Sequence, residues 1–200
     1  MIKKTLLAAS CALLLSACSN IQTVQQGQNY AACTFPDAPT ESAPGWVCDI
    51  SPSDLGISAT GYAKKSAAGM SVMKKVALSN AQVLLASQFE TTVKNMFKKA
   101  VESSETSESG KAGQELVIEK FEDVAENVVS QSLTGARILV SMVSPTGGIY
   151  ILVGMDQATY NANLNKAIDA VNNDTQLWTQ FNSEQAVKDL QQALNSMKQQ

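Results

Sequence analysis

No histidine occurs anywhere in the 200 residues. That removes the Ser-His-Asp triad, the HExxH zinc pattern and the commonest general base together. The apolar run near the start, Thr5 to Leu15, falls short of the roughly 20 residues a spanning helix needs. Charge is sparse, with 15 basic and 18 acidic side chains and a net charge of −3. A faintly acidic chain is a poor match for nucleic acid or anionic lipid as a primary partner. Four cysteines are present, and two of them fall within the first 18 residues. The remaining pair, without any histidine, cannot fill a tetrahedral zinc shell. No cofactor or metal is expected.

The beginning of the chain carries the most specific signal. Lys3 and Lys4 precede the apolar run, and Leu15-Ser16-Ala17-Cys18 follows it. A basic head, a short apolar stretch and small residues before a cut form a secretory signal rather than a domain element. The terminal cysteine distinguishes it from an ordinary signal, because Leu-Ser-Ala-Cys resembles the bacterial lipobox. In that motif the thiol takes a diacylglycerol and the cut makes Cys18 the first residue. Several acyl chains, at about 0.8 kcal/mol per buried methylene, hold a protein stably on a membrane. Residues 1–17 are then signal peptide. Lys3 and Lys4 leave with it, so 13 basic and 18 acidic side chains remain, a net charge of −5.

Export implies an oxidising compartment, and Cys33 and Cys48 are the cysteines left to pair. A bridge between them closes a loop of about 15 residues, worth on the order of 3 kcal/mol in the chain-entropy model. Residues 18–45 are rich in Gln, Asn, Ser, Thr, Ala and Pro without a sustained period. They read as a flexible tether of about 30 Å reach, with the bridge tying its second half to the domain edge.

An α+β domain is expected over residues 46–157. Gly56 to Ala63 alternates as a strand, and Gly61 allows another backbone to approach closely. Ser66 to Val101 reads as one long helix, with Met70, Met73, Ala77, Ala81, Leu84, Phe89, Val93, Met96 and Ala100 on its apolar stripe. At 1.5 Å per residue it is about 50 Å long, so it either breaks or projects beyond a small domain. A polar loop, Ser103 to Gly113, follows. Its Gly110-Lys111 fails as a phosphate loop, because Glu105 and Ala112 stand where glycine and Ser or Thr belong. Glu115 to Gln131 reads as a second helix, whose Glu119, Glu122, Asp123 and Glu126 form a solvated face.

Ala136 to Val143 and Ile149 to Met155 flank the turn Ser144-Pro145-Thr146-Gly147-Gly148 and make a hairpin. Asp156 is placed to cap the next helix. Residues 158–200 form a helical extension, with Tyr160, Leu164, Ile168 and Val171 on one stripe and Val187, Leu190, Leu194 and Met197 on another. The last stripe suits either a partner or the parent domain. The sequon Asn173-Asp174-Thr175 is read as chance.

The order strand, long helix, helix, hairpin can be set beside families. Pro44-Gly45-Trp46-Val47, Ala59-Thr60-Gly61-Tyr62-Ala63, the alanine-spaced helix around Ala77 and Ala81, Ser132 to Ile138, and Ile149 to Asp156 resemble the 20-kDa outer-membrane lipoprotein family of Gram-negative bacteria, which has flagellar members. The resemblance implies a strand–helix–strand–strand α+β fold with a small three-stranded sheet, no catalytic site, and ring-like or surface assembly at the outer membrane. It implies homo-oligomers and, in flagellar members, other ring proteins as partners. Ser19 after the lipidated cysteine favours the outer over the inner membrane, on either of its faces. The alternative is a monomeric envelope binding module, an adhesin or an accessory to a cell-wall enzyme.

Overall fold

The computed structural model describes residues 32–103, 135–179 and 184–198. The expected loop beyond Ser103, the second helix with its carboxylates, Cys18 and the start of the last helix at Ser183 lie outside the described residues. The elements in chain order are β1 (Thr34–Phe35), β2 (Ala38–Ser42), a 3₁₀ turn (Gly45–Cys48), β3 (Leu55–Ala63), α1 (Met70–Ser103), β4 (Arg137–Val143), β5 (Ile149–Asp156), α2 (Gln157–Asn172), α3 (Thr175–Trp178) and α4 (Glu184–Ser196). The α+β class is as expected, with the three-stranded antiparallel sheet ordered β3-β5-β4 and a second, two-stranded sheet from β1 and β2.

β5 is the central strand and all of it through Met155 is buried. Its near-continuous apolar run follows from cover on both faces. Ile149, Ile151, Val153 and Met155 face α1, where they join Ala59, Ala63, Met73, Ala77, Ala81 and Leu85 in one core. Tyr150 points the other way, against Phe35 and Val47. The hairpin from β4 to β5 turns at Ser144–Gly148, closed by Gly147 N–H to Ser144 O (2.9 Å) and Ser144 N–H to Gly148 O (2.8 Å). Gly147 sits at φ +87°, a conformation that costs a side chain free energy.

At Gly61 a methyl group would stand 2.0 Å from Ala77 O and 2.4 Å from Ala81 N. The strand and helix backbones therefore touch at this point, as the glycine and the two alanines suggest. α1 begins at Met70 rather than Ser66, because Ser66 Oγ accepts from Ala68 N–H in a turn and Gly69 has φ +87°.

The 34-residue helix is unbroken, about 51 Å long at 1.5 Å per residue. The buried positions step by four through Met73, Ala77, Ala81, Leu85, Phe89, Val93, Phe97 and Val101, with Ala100 buried beside the last. Steps of four advance about 40° around the helix each time. The buried face therefore rotates along the axis. Its first half lies on the sheet, and its second half joins Leu164, Ala167, Ile168, Val171, Leu177, Leu190 and Leu194 of α2, α3 and α4 in a separate core. This corrects the expected stripe at two places: Met70 and Leu84 are 44% and 48% exposed, while Leu85 and Phe97 take the buried positions.

Two boundaries also differ from expectation. The described residues of 158–200 are not an extension, since among the described residues those from 32 onward form one compact unit and α2 and α4 bury the half of α1 that overhangs the sheet. The last helix docks on its own domain through Leu190 and Leu194, with Met197 partly buried beside them. Asp169 and Lys198 pair at 2.6 Å across α2 and the end of α4. The tether expected to reach Gly45 instead folds from residue 33 onward. β1 and β2 pair as a hairpin whose Phe35 is buried against Tyr150. Long-range contacts order this stretch, which has no period of its own.

Candidate functional site

Residues 33–48 form a strap across the face of the sheet opposite α1. Cys33 and Cys48 lie at its two ends, with sulfurs 2.13 Å apart and Cα atoms 5.9 Å apart. The pair expected to bridge is thus at bonding distance, at the point where the chain enters the folded unit. Cys18 lies outside the described residues.

At the tip of the strap, Asp37 meets the β4–β5 turn. Its carboxylate accepts from Ser144 Oγ (2.6 Å), from Thr146 Oγ1, from Tyr62 Oη (3.1 Å) and from Tyr150 Oη (3.0 Å). Tyr62 and Tyr150 stack with centroids 4.6 Å apart, and Phe35 lies 5.7 Å from Tyr150. Burial pushes the Asp37 carboxyl up, but the hydroxyl bonds from Ser144, Thr146, Tyr150 and Tyr62 outweigh it and hold the group below its ordinary value. Burial, with the bond to Asp37 and its charge, pushes the Tyr150 phenol up to about 12. The same causes raise Tyr62.

This chemistry holds rather than reacts. A general base needs a pKa near the working pH and a lone pair free for the substrate proton. Asp37 has a lowered pKa and four donors on its two oxygens, and its tyrosine partners are locked as donors. Sequence reasoning did not single out Asp37, Tyr62, Ser144, Thr146 or Tyr150. The Phe35-Pro36-Asp37 turn and the hydroxyl-rich Ser144-Pro145-Thr146 turn were the available signals, but they lie more than 100 positions apart. Asp156 caps α2 as expected, accepting from Thr159 N–H at 2.8 Å.

Two hollows among the described residues can be weighed as sites. One, of 60 Å³, lies between residues 46–51 and β3, lined by Trp46, Ser51, Ser58, Thr60 and Gln88. The other is an open groove beside Met96, Leu164 and Met197. Neither gathers charged groups around an enclosed space. Among the described residues, no group of three or more His, Cys, Asp or Glu could hold a metal ion, and no helix is long and apolar enough to cross a membrane.

Among the described residues, the outer edge of β4 is a strand edge without a partner. The sheet order leaves β4 and β3 as edges. The edge at β3 is blunted, with Asn80 Nδ2 donating to Tyr62 O (2.9 Å) and α2 pressing Tyr160 onto Gly56. β4 pairs only with β5 among the described residues. Its sequence, Arg-Ile-Leu-Val-Ser-Met-Val, has a single charge and no proline, and its one guard is a bulge between Ile138 and Val140. Ile138 and Val143 are 50% and 49% exposed. A second apolar surface lies on the solvent side of α1, where Val72, Val76 and Val83 are exposed and lie within about 40° of one another around the helix.

Compared with known protein families and with curated proteins, the chain matches none.

Proposed function

We propose that this protein is a non-catalytic lipoprotein, anchored by lipid on Cys18 in the outer membrane, that self-associates as a structural component of the envelope. The observation that carries the reading is the apolar β4 edge, which pairs only with β5 among the described residues. Three features suit association: an over-long helix, an amphipathic last helix and an open sheet edge. The first two are satisfied within the chain, since α4 and α2 cover the overhang of α1. The β4 edge remains, and a second copy is its natural occupant. In an antiparallel pairing centred on Val140, Arg137 falls opposite the far end of the other β4, so the single charge on each strand meets no like charge. A parallel, in-register pairing would set Arg137 against Arg137.

Edge-to-edge pairing is two-fold and closes on itself. A ring or lattice needs a second contact, and the valine face of α1 supplies one. The resemblance to outer-membrane lipoproteins with flagellar members extends the reading to a ring around the flagellar motor, with other ring proteins as partners. The test has two parts. Cys18→Ser should move the protein from the outer-membrane fraction to the soluble periplasm; retention in the membrane pellet refutes the anchor. Ile138→Lys with Val143→Lys should disperse the assembly while leaving circular dichroism unchanged; an undiminished assembly refutes the edge.

A further inference from the structure

The strap places a covalent link at the mechanical entrance to the domain. A chain held at Cys18 and loaded through its folded body transmits tension along residues 19–32 to Cys33. From there two routes lead to β3. One passes through the strap, residues 34–47, and the other crosses directly from Cys33 to Cys48, whose Cα atoms are 5.9 Å apart. Only six residues then lie between Cys48 and Leu55 at the start of β3.

We propose that the Cys33–Cys48 bridge is a tension shunt: it carries pull from the anchored N-terminus into β3 and keeps that pull off the Asp37 latch. The proposal rests on the anchoring reading. The two routes differ greatly in strength. The strap is a two-stranded hairpin with short strands, an element marginal by itself in water. Its hold on the body is the Asp37 hydroxyl set, Phe35 against Tyr150 and the Thr60 Oγ1 bond to Trp46 O (2.6 Å). Tension entering at Cys33 without the bridge would load these contacts one after another. β3, by contrast, is paired with β5 from Leu55 to Ala63 and meshed with α1 at Gly61, so a pull there meets a longer ladder backed by a helix.

Single-molecule stretching tests this. The mature, unlipidated chain is held at residue 18 and at Gln200 and pulled first oxidised, then in reductant. Lengthening common to both states cancels in the comparison. Opening the bridge frees 15 residue steps, about 50 Å extended at 3.3–3.6 Å per residue, or about 45 Å beyond the bridged distance of 5.9 Å. The expected result is an early, low-force step of about 45 Å in the reduced protein that is missing from the oxidised protein. The Cys33→Ser/Cys48→Ser chain should show the same step without reductant. If the reduced strap instead lets go together with β3 in a single event, the latch bears the load unaided and the shunt is refuted. A low-force step of that size in the oxidised protein refutes it equally. Because the chain in this experiment is unlipidated, its outcome is independent of the fractionation test of Cys18, and the two readings can fail separately.

Discussion

Gly61 is where the fold tolerates least. Replacing it with alanine places a methyl carbon 2.0 Å from Ala77 O and 2.4 Å from Ala81 N. Ordinary contact begins at 3.4 Å, so strand and helix must separate by more than an ångström. Both obstructing atoms are backbone, held in the α1 hydrogen-bond ladder, and no rotamer change can move them. Displacing α1 also loosens Met73, Ala77, Ala81 and Leu85 from Ala59, Ala63 and the β5 side chains. Overpacking of this kind typically costs 1–3 kcal/mol, and a clash on two backbone atoms belongs at the upper end, about 3 kcal/mol. The stiffer unfolded chain returns about 0.4–1 kcal/mol. Gly61→Ala should therefore destabilise by about 2 kcal/mol. With a urea slope of about 2 kcal/mol/M, the midpoint falls by about 1 M. The assay is urea denaturation of the mature chain carrying Cys18→Ser, followed by circular dichroism. Ala81→Gly should not rescue the variant, because it removes only the methyl at 2.9 Å and leaves the two backbone atoms in place. A midpoint within about 0.25 M of the parent, or full rescue by Ala81→Gly, refutes the backbone contact.

Asp37→Asn should loosen the strap. The Asp37 carboxyl titrates below its ordinary value in the fold, so its contribution is present above the unfolded pKa and lost as pH falls through the folded one. Acid unfolding of the parent should thus begin below pH about 4, and the Asn variant should lose that part of the pH dependence, read by protease sensitivity of residues 34–47. Tyr150, raised to about 12, contributes stability below pH 10 that disappears between about 10 and 12; phenolate absorbance should show a late-titrating group that vanishes in Tyr150→Phe. Reduction of Cys33–Cys48 opens a loop of 15 residues and should lower stability by about 3 kcal/mol in the chain-entropy account, measured as a drop in Tm. Asp156→Ala removes the N-cap of α2 and should cost about 1 kcal/mol, by the same urea assay.

The parts of the fold with local signatures were legible in the sequence. Glycine at 61 within an alternating strand, the Ser-Pro-Thr-Gly-Gly turn and Asp156 before an amphipathic run each act through neighbours in the chain. The helix stripe was legible as a helix but wrong in detail at Met70 and Leu84. A single straight stripe assumes one partner, whereas α1 serves the sheet first and the C-terminal helices second, so its buried face turns through Leu85 and Phe97. The strap was misread as tether because its order comes from afar. Asp37 is 107 residues from Ser144 and 113 from Tyr150, and no local pattern records such a pairing. The Cys33–Cys48 spacing was the one trace of it.

The central claim is that copies of this chain associate through the β4 edge. It is tested most directly by the mass of the mature, detergent-solubilised protein, measured by light scattering after size-exclusion chromatography, for the parent and for Ile138→Lys with Val143→Lys. The parent should run as a discrete multi-subunit species, and the variant should fall toward the mass of one chain. A parent that is monomeric at every concentration, or a variant that keeps the parent's mass, contradicts it.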